Sequence, residues 1–181
     1  IVKNITRILL LVMKVTQAQL FENYGSEGHM LTYFQGNNNI PSFVDQLLLS
    51  QLLTLPELRD YKNNANWKFT FNTYSAKNEQ LSGFSFHKDV PSNGDISLIY
   101  SLGTESQFQI RLPEGEIQTD SDCASEITEN VRSNDLIIMA NDARWKYEHR
   151  VVPVSVGAEQ KPLHSEHPIY RISMVLGCQK M

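Results

Sequence analysis

With 181 residues and 41% apolar composition, the chain is long enough to bury one real core, and its length favours one domain over two. A formal charge of −4 and 9% aromatic residues exclude the basic excess of a duplex-coating protein and the bias of a disordered chain, leaving room only for a local basic patch. The two cysteines, Cys123 and Cys178, are too few for a disulfide scaffold and lack C-x-x-C spacing, so the expected compartment is reducing and intracellular, cytoplasmic or nuclear.

In chain order, the apolar run Ile8–Met13 is far shorter than the ~20 residues of a membrane span. Lys14 follows it directly and no A-x-A-like cleavage site is obvious, which argues against a signal peptide. Ile5, Leu9, Val12, Met13 and Leu20 recur at helical spacing, predicting an amphipathic helix over one side of the core. Residues 1–28 are therefore read as an N-terminal helix and connector, and 29–181 as one folding unit. Leu31–Phe34 reads as a short strand. Phe43, Val44, Leu47, Leu48 and Leu52 predict a second helix, with Pro41 in the first turn, where a helix tolerates it. Pro56 interrupts the continuing apolar pattern, and Asn63–Asn66 reads as a loop.

From Trp67 the period changes to alternation. Trp67, Phe69 and Phe71 share one face of a strand, and Thr70, Asn72 and Tyr74 the other. Further strands are expected over 83–87, 96–102, 108–112, 136–140, 148–154 and 170–176. Helices in front of about seven strands describe an α+β chain whose sheets must close or sandwich. The stretch Glu114–Asn130, with Glu116, Asp120, Asp122, Glu126 and Glu129, reads as a solvated loop or hairpin tip.

The candidate chemistry begins at His87-Lys88-Asp89. Residues two apart on a strand point to one side, so an imidazole and a carboxylate here can grip a common ion. His149 follows the apolar strand 136–140, and Arg171 opens an otherwise apolar final strand. A guanidinium on a core strand needs an anionic partner, because an unpaired buried charge is very costly. Two histidines and one carboxylate leave three positions open on an iron, the arrangement of non-haem Fe(II) oxygenases. The arginine then suits a dicarboxylate cosubstrate, held by two parallel hydrogen bonds.

Asn72-Thr73-Tyr74, His87-Lys88-Asp89, the segment from Asp142 to His149, and Tyr170-Arg171-Ile172-Ser173 together resemble the ordered landmarks of the AlkB family of oxidative demethylases, over roughly residues 29 to 177. That resemblance implies a double-stranded β-helix (jelly-roll, cupin-like) core with N-terminal helices packed on one sheet. It also implies His87, Asp89 and His149 as Fe(II) ligands, Arg171 paired with the distal carboxylate of 2-oxoglutarate, and Asn72 and Tyr74 hydrogen-bonding the same cosubstrate. Such enzymes use dioxygen, with ascorbate as reductant in vitro, convert 2-oxoglutarate to succinate and carbon dioxide, and hydroxylate a substrate C–H bond. On an N-methyl group the product releases formaldehyde. One position departs from the pattern: the family's second arginine, six residues after the first, is Gly177 here. Arg144 and Arg150 are the candidate spatial substitutes, with Ser173 beside them as a further residue toward substrate or cosubstrate.

Other residues read more plainly. His164 and His167 are three apart, but Pro162 and Pro168 flank them and argue for a loop. His29 reads as a surface histidine, both cysteines as structural, and Tyr33, Phe34 and Trp67 as core rather than base-stacking groups. Expected partners are 2-oxoglutarate, dioxygen and a single-stranded alkylated nucleic acid. The alternatives are the same chemistry on a protein side chain, favoured by the negative charge and Gly177, or a non-catalytic binding module on the same fold.

Overall fold

A computed structural model describes residues 21–22, 29–33, 52–61, 65–77, 79–116, 126–152, 154–157, 159–163 and 168–180. The expected helix over residues 5–20 and nearly all of the one over 41–53 lie outside these residues, as do Cys123, His164 and His167.

The strands are β1 (Phe21–Glu22), β2 (His29–Tyr33), β3 (Ala65–Lys77), β4 (Gln80–Leu81), β5 (Phe84–His87), β6 (Ile96–Gly103), β7 (Ser106–Arg111), β8 (Glu126–Val131), β9 (Leu136–Ala140), β10 (Glu148–Val152) and β11 (Ile169–Lys180). Among the described residues they form two sheets. The larger runs β1-β2-β3-β11-β6-β9, with β4 appended to β3, and the smaller runs β5-β10-β7-β8. From β5 onward the chain crosses between sheets: small, large, small twice, large, small, large. This winding makes a double-stranded β-helix of antiparallel pairs, as expected.

The alternation read from Trp67 onward sorts the larger sheet into two faces. Trp67, Phe69, Leu98, Ile172, Met174 and Leu176 are buried on the outer face with Leu52 and Leu58, the latter from a 3₁₀ turn at Pro56–Tyr61. Tyr74, Ile99, Met139 and Val175 are buried on the inner face against Phe108, Val131 and Val151 of the smaller sheet. β11 pairs with β3 on one edge and β6 on the other, in a register that sets Ser173 opposite both Asn72 and Ser101. The inner face of this sheet is thus the only face of it that looks across at the other sheet, and its polar residues are confined there between two walls.

Two expectations are corrected. The stretch read as a solvated loop or hairpin tip does join a hairpin, but its last residues are strand: β8 pairs with β7 from Arg111↔Glu126 to Ser106↔Val131. Its side chains are exposed up to Asn130, so burial imposed no alternation on it. A short helix, α1 (Asn141–Trp145), occupies what reads in sequence as a link between strands. No helix among the described residues is long and apolar enough to cross a membrane.

Candidate metal centre

His87 and His149 face each other across the β5–β10 pair. The register shifts between His149 and Val151, a bulge in that ladder. The irregularity lets Phe84, three residues from His87, stack on the same imidazole with ring centroids 3.9 Å apart, and bulges commonly re-aim side chains beside functional sites. The two imidazole centroids are 4.2 Å apart, and Phe108 backs His149 at 5.3 Å.

Asp89 completes the group, although not from the strand. β5 ends at His87, and Asp89 lies in the turn leading to a 3₁₀ segment at Pro91–Asn93. One carboxylate oxygen, Oδ1, is 3.9 Å from the Nε2 atoms of both His87 and His149. Ligand atoms of the three residues all lie within 4.8 Å of one another. Each is oriented by a neighbour. His87 Nδ1 is 2.7 Å from the Ser85 carbonyl, which as an acceptor places the proton on Nδ1 and leaves Nε2 free to ligate. Ser97 Oγ donates to Asp89 Oδ2 at 2.6 Å, turning Oδ1 toward the histidines. Burial, with nearby His87, lowers the His149 pKa to about 4 against the opposing charge of Asp89, so that ring is neutral and able to coordinate near neutral pH.

The three residues line one wall of a cavity of about 290 Å³ between the sheets, and Asn72, Tyr74 and Ser173 line the opposite wall. Arg171 is 1% exposed and lies beyond that wall, its Cζ 4.9 Å from the Tyr74 ring centroid. Its Nη2 donates to Ser101 Oγ at 3.0 Å, while Nε and Nη1 have no hydrogen-bond partner among the described residues. Among the described residues no carboxylate forms an ion pair with it. Burial pushes the Tyr74 phenol above its ordinary range, opposed by the Arg171 charge, so the phenol stays neutral. Ser97, which holds Asp89, and Ser101, which holds Arg171, are four residues apart on one face of β6, roughly 13 Å at ~3.3 Å per residue. The strand that tethers Asp89 through Ser97 thus also holds, through Ser101, a buried guanidinium that has no carboxylate partner among the described residues.

The remaining candidates sit elsewhere. Arg144 is 2% exposed, neither on the surface nor on the cavity wall. Its Nη1 and Nη2 donate to the carbonyls of Asp89 and Val90 at 3.0 and 2.9 Å. Arg150, beside His149 on β10, points to the other face, where its Nε donates to Gln109 Oε1 and its Cζ lies 4.5 Å from the Phe86 ring centroid. Neither lines the cavity. At position 177, where the resemblance leads one to expect a second arginine, a Cβ on the glycine would lie 2.5 Å from the Asn93 carbonyl oxygen. The residues that sequence reasoning missed are Ser97 and Ser101. Their signal was present, since two hydroxyls four apart on an otherwise apolar strand, Ile96–Leu102, must face something polar.

No protein-family description matches the chain, and no curated protein does. Among solved structures it is similar to OsALKBH1, with a TM-score of 0.62 and 15% identity over 96% of this chain and 91% of that one. It is also similar to a prolyl-4-hydroxylase from Pseudomonas putida, with a TM-score of 0.54 and 10% identity over 99% and 88% of the two chains. At such identities the likeness is one of fold, the curled jelly-roll that the strand order describes.

Proposed function

We propose that this chain is an Fe(II)- and 2-oxoglutarate-dependent oxygenase that removes alkyl groups oxidatively from nucleobases of single-stranded nucleic acid. The observation that carries the reading is the convergence of His87 and Asp89 with His149, some sixty residues on, in a structure that also buries Arg171 with two of its nitrogens lacking a hydrogen-bond partner among the described residues. The fold shared with OsALKBH1 supports it.

In this reading His87 Nε2, His149 Nε2 and Asp89 Oδ1 hold Fe(II), and Arg171 anchors the distal carboxylate of 2-oxoglutarate with help from Tyr74, Asn72 and Ser173. Iron so held supplies, with dioxygen and 2-oxoglutarate, the oxidation of an unactivated C–H bond. The chain itself contributes three things. It fixes the ligand geometry through Ser85 and Ser97, keeps His149 deprotonated, and excludes water with Phe84, Phe108 and Val151.

A second substrate class within the same chemistry is a protein side chain. The net charge of −4 favours it, as does likeness to a structure described as a prolyl-4-hydroxylase.

Purified protein given Fe(II), ascorbate and 2-oxoglutarate is expected to form succinate slowly without substrate, and Asp89→Ala to form none. Absence of succinate from the wild type, with unchanged behaviour of Asp89→Ala in every binding assay, would instead identify a non-catalytic binding module. Salt titration against methylated single-stranded oligonucleotides separates the substrate classes: binding that falls steeply with salt reports phosphate contacts. A weak, flat response favours the protein side chain.

A further inference from the structure

Arg144 is the only described guanidinium that donates to two successive backbone carbonyls of the turn carrying Asp89. It sits on α1, five residues before His149 on the same continuous segment, yet its contacts reach 55 and 54 residues back. A fully buried charge costs stability. Its Nε has no hydrogen-bond partner among the described residues, and no carboxylate there forms an ion pair with it. Near a cation-binding group a like charge is unfavourable, so its presence there calls for a compensating role.

We propose that Arg144 is the positioning residue of the metal centre: its two-pronged guanidinium clamps the Asp89–Val90 backbone to the segment that delivers His149, so that the carboxylate and the imidazole are presented together. The inference rests on the metal reading above. It reverses the sign that electrostatics alone would give. As a nearby positive charge, Arg144 would weaken cation binding and its removal would tighten it. As a clamp, its removal loosens a ligand-bearing turn and weakens binding, and losing a group that orients ligands typically costs 10–100-fold in metal affinity.

The test titrates the full, chelator-stripped chain with Co(II), following affinity by calorimetry and coordination by visible absorption. Amide hydrogen exchange over residues 88–93 is measured on the metal-free protein. Arg144→Met is expected to bind Co(II) about 10–100-fold more weakly, with an altered absorption band and faster exchange at Asp89 and Val90. Arg144→Lys, which keeps the charge but loses the fork, is expected to fall between that variant and wild type; if Arg144→Met does not fold, Arg144→Lys against wild type carries the comparison. Leu176→Ala, on the outer face of the larger sheet, controls for general destabilisation and is expected to keep wild-type Co(II) affinity. Co(II) affinity equal to or tighter than wild type in the Arg144 variants, with unchanged exchange over 88–93, overturns the proposal. Failure of the wild type itself to bind Co(II) overturns the metal reading, and the clamp with it.

Discussion

At the scale of single residues, His149 carries the clearest electrostatic consequence. Its pKa is lowered from 6.5 to about 4, chiefly by burial. A base whose folded pKa is depressed leaves the unfolded chain binding more protons, so stability rises with pH where the two states differ. Metal-free protein held in a chelator is therefore expected to be most stable above about pH 6.5 and to lose stability as the pH falls toward 4. Urea midpoints measured from pH 7 to pH 4 test this. A midpoint that stays flat over that window in wild type, or falls equally in His149→Gln, removes the burial argument. The same residue shows what sequence could and could not supply. His87 and Asp89 are legible from their spacing, His149 from its place after an apolar strand, and Arg171 from a charge on an otherwise apolar one. Which partners they found was invisible. Ser97 and Ser101 lie on a strand whose apolar neighbours dominate its pattern, and the Arg144 clamp closes over 55 residues of chain.

At the scale of elements, alternation located the strands that bury one face and missed those that bury none. β9 was expected over the very residues it occupies, and β3 and β11 from their apolar cores. β8 escaped because its first five residues are exposed, and Asp89 was placed on a strand that stops two residues earlier. Gly177 is the most instructive element-level departure. It lies on the inner face of β11 opposite Ser97, beneath the 3₁₀ segment Pro91–Asn93 that follows Asp89. A Cβ there would meet the Asn93 carbonyl oxygen at 2.5 Å and its Cα at 3.0 Å, both backbone atoms that cannot yield cheaply. Gly177→Ala is thus expected to destabilise the protein by about 1–3 kcal/mol through overpacking. Gly177→Arg should be worse still and should leave 2-oxoglutarate affinity no tighter. Thermal denaturation of both variants, with calorimetric titration of 2-oxoglutarate, checks this. A stable Gly177→Arg protein with tightened cosubstrate binding would mean that the turn, not the glycine, is the adaptable partner.

At the scale of the whole molecule, β11 is the member on which both sheet faces depend. It pairs along its length with β3 and β6, contributes Ile172, Met174, Leu176 and Cys178 to the outer core, and carries Arg171, Ser173 and Val175 on the inner face. Cys178 is fully buried, and burial pushes its thiol up to about 12. A thiol so placed is inert unless the strand leaves the sheet. Iodoacetamide at pH 8 is expected to leave Cys178 unmodified in native protein. Its labelling should accelerate with urea along the same slope as global unfolding, read by mass spectrometry of the peptide that carries it. Rapid labelling without denaturant would show that β11 opens locally, a behaviour hard to reconcile with its pairing on both edges.

Asp89 is also where the two sheets are tied at the cavity. One of its carboxylate oxygens is tethered to Ser97 of the larger sheet, and the other faces two imidazoles of the smaller. An ion seated among those three groups would act as a rivet at one corner of the sandwich, adding to the hydrogen bond that already reaches across. Under the proposed function, loading the centre and stiffening the scaffold would be a single event, and a chelator would loosen that corner along with emptying the site.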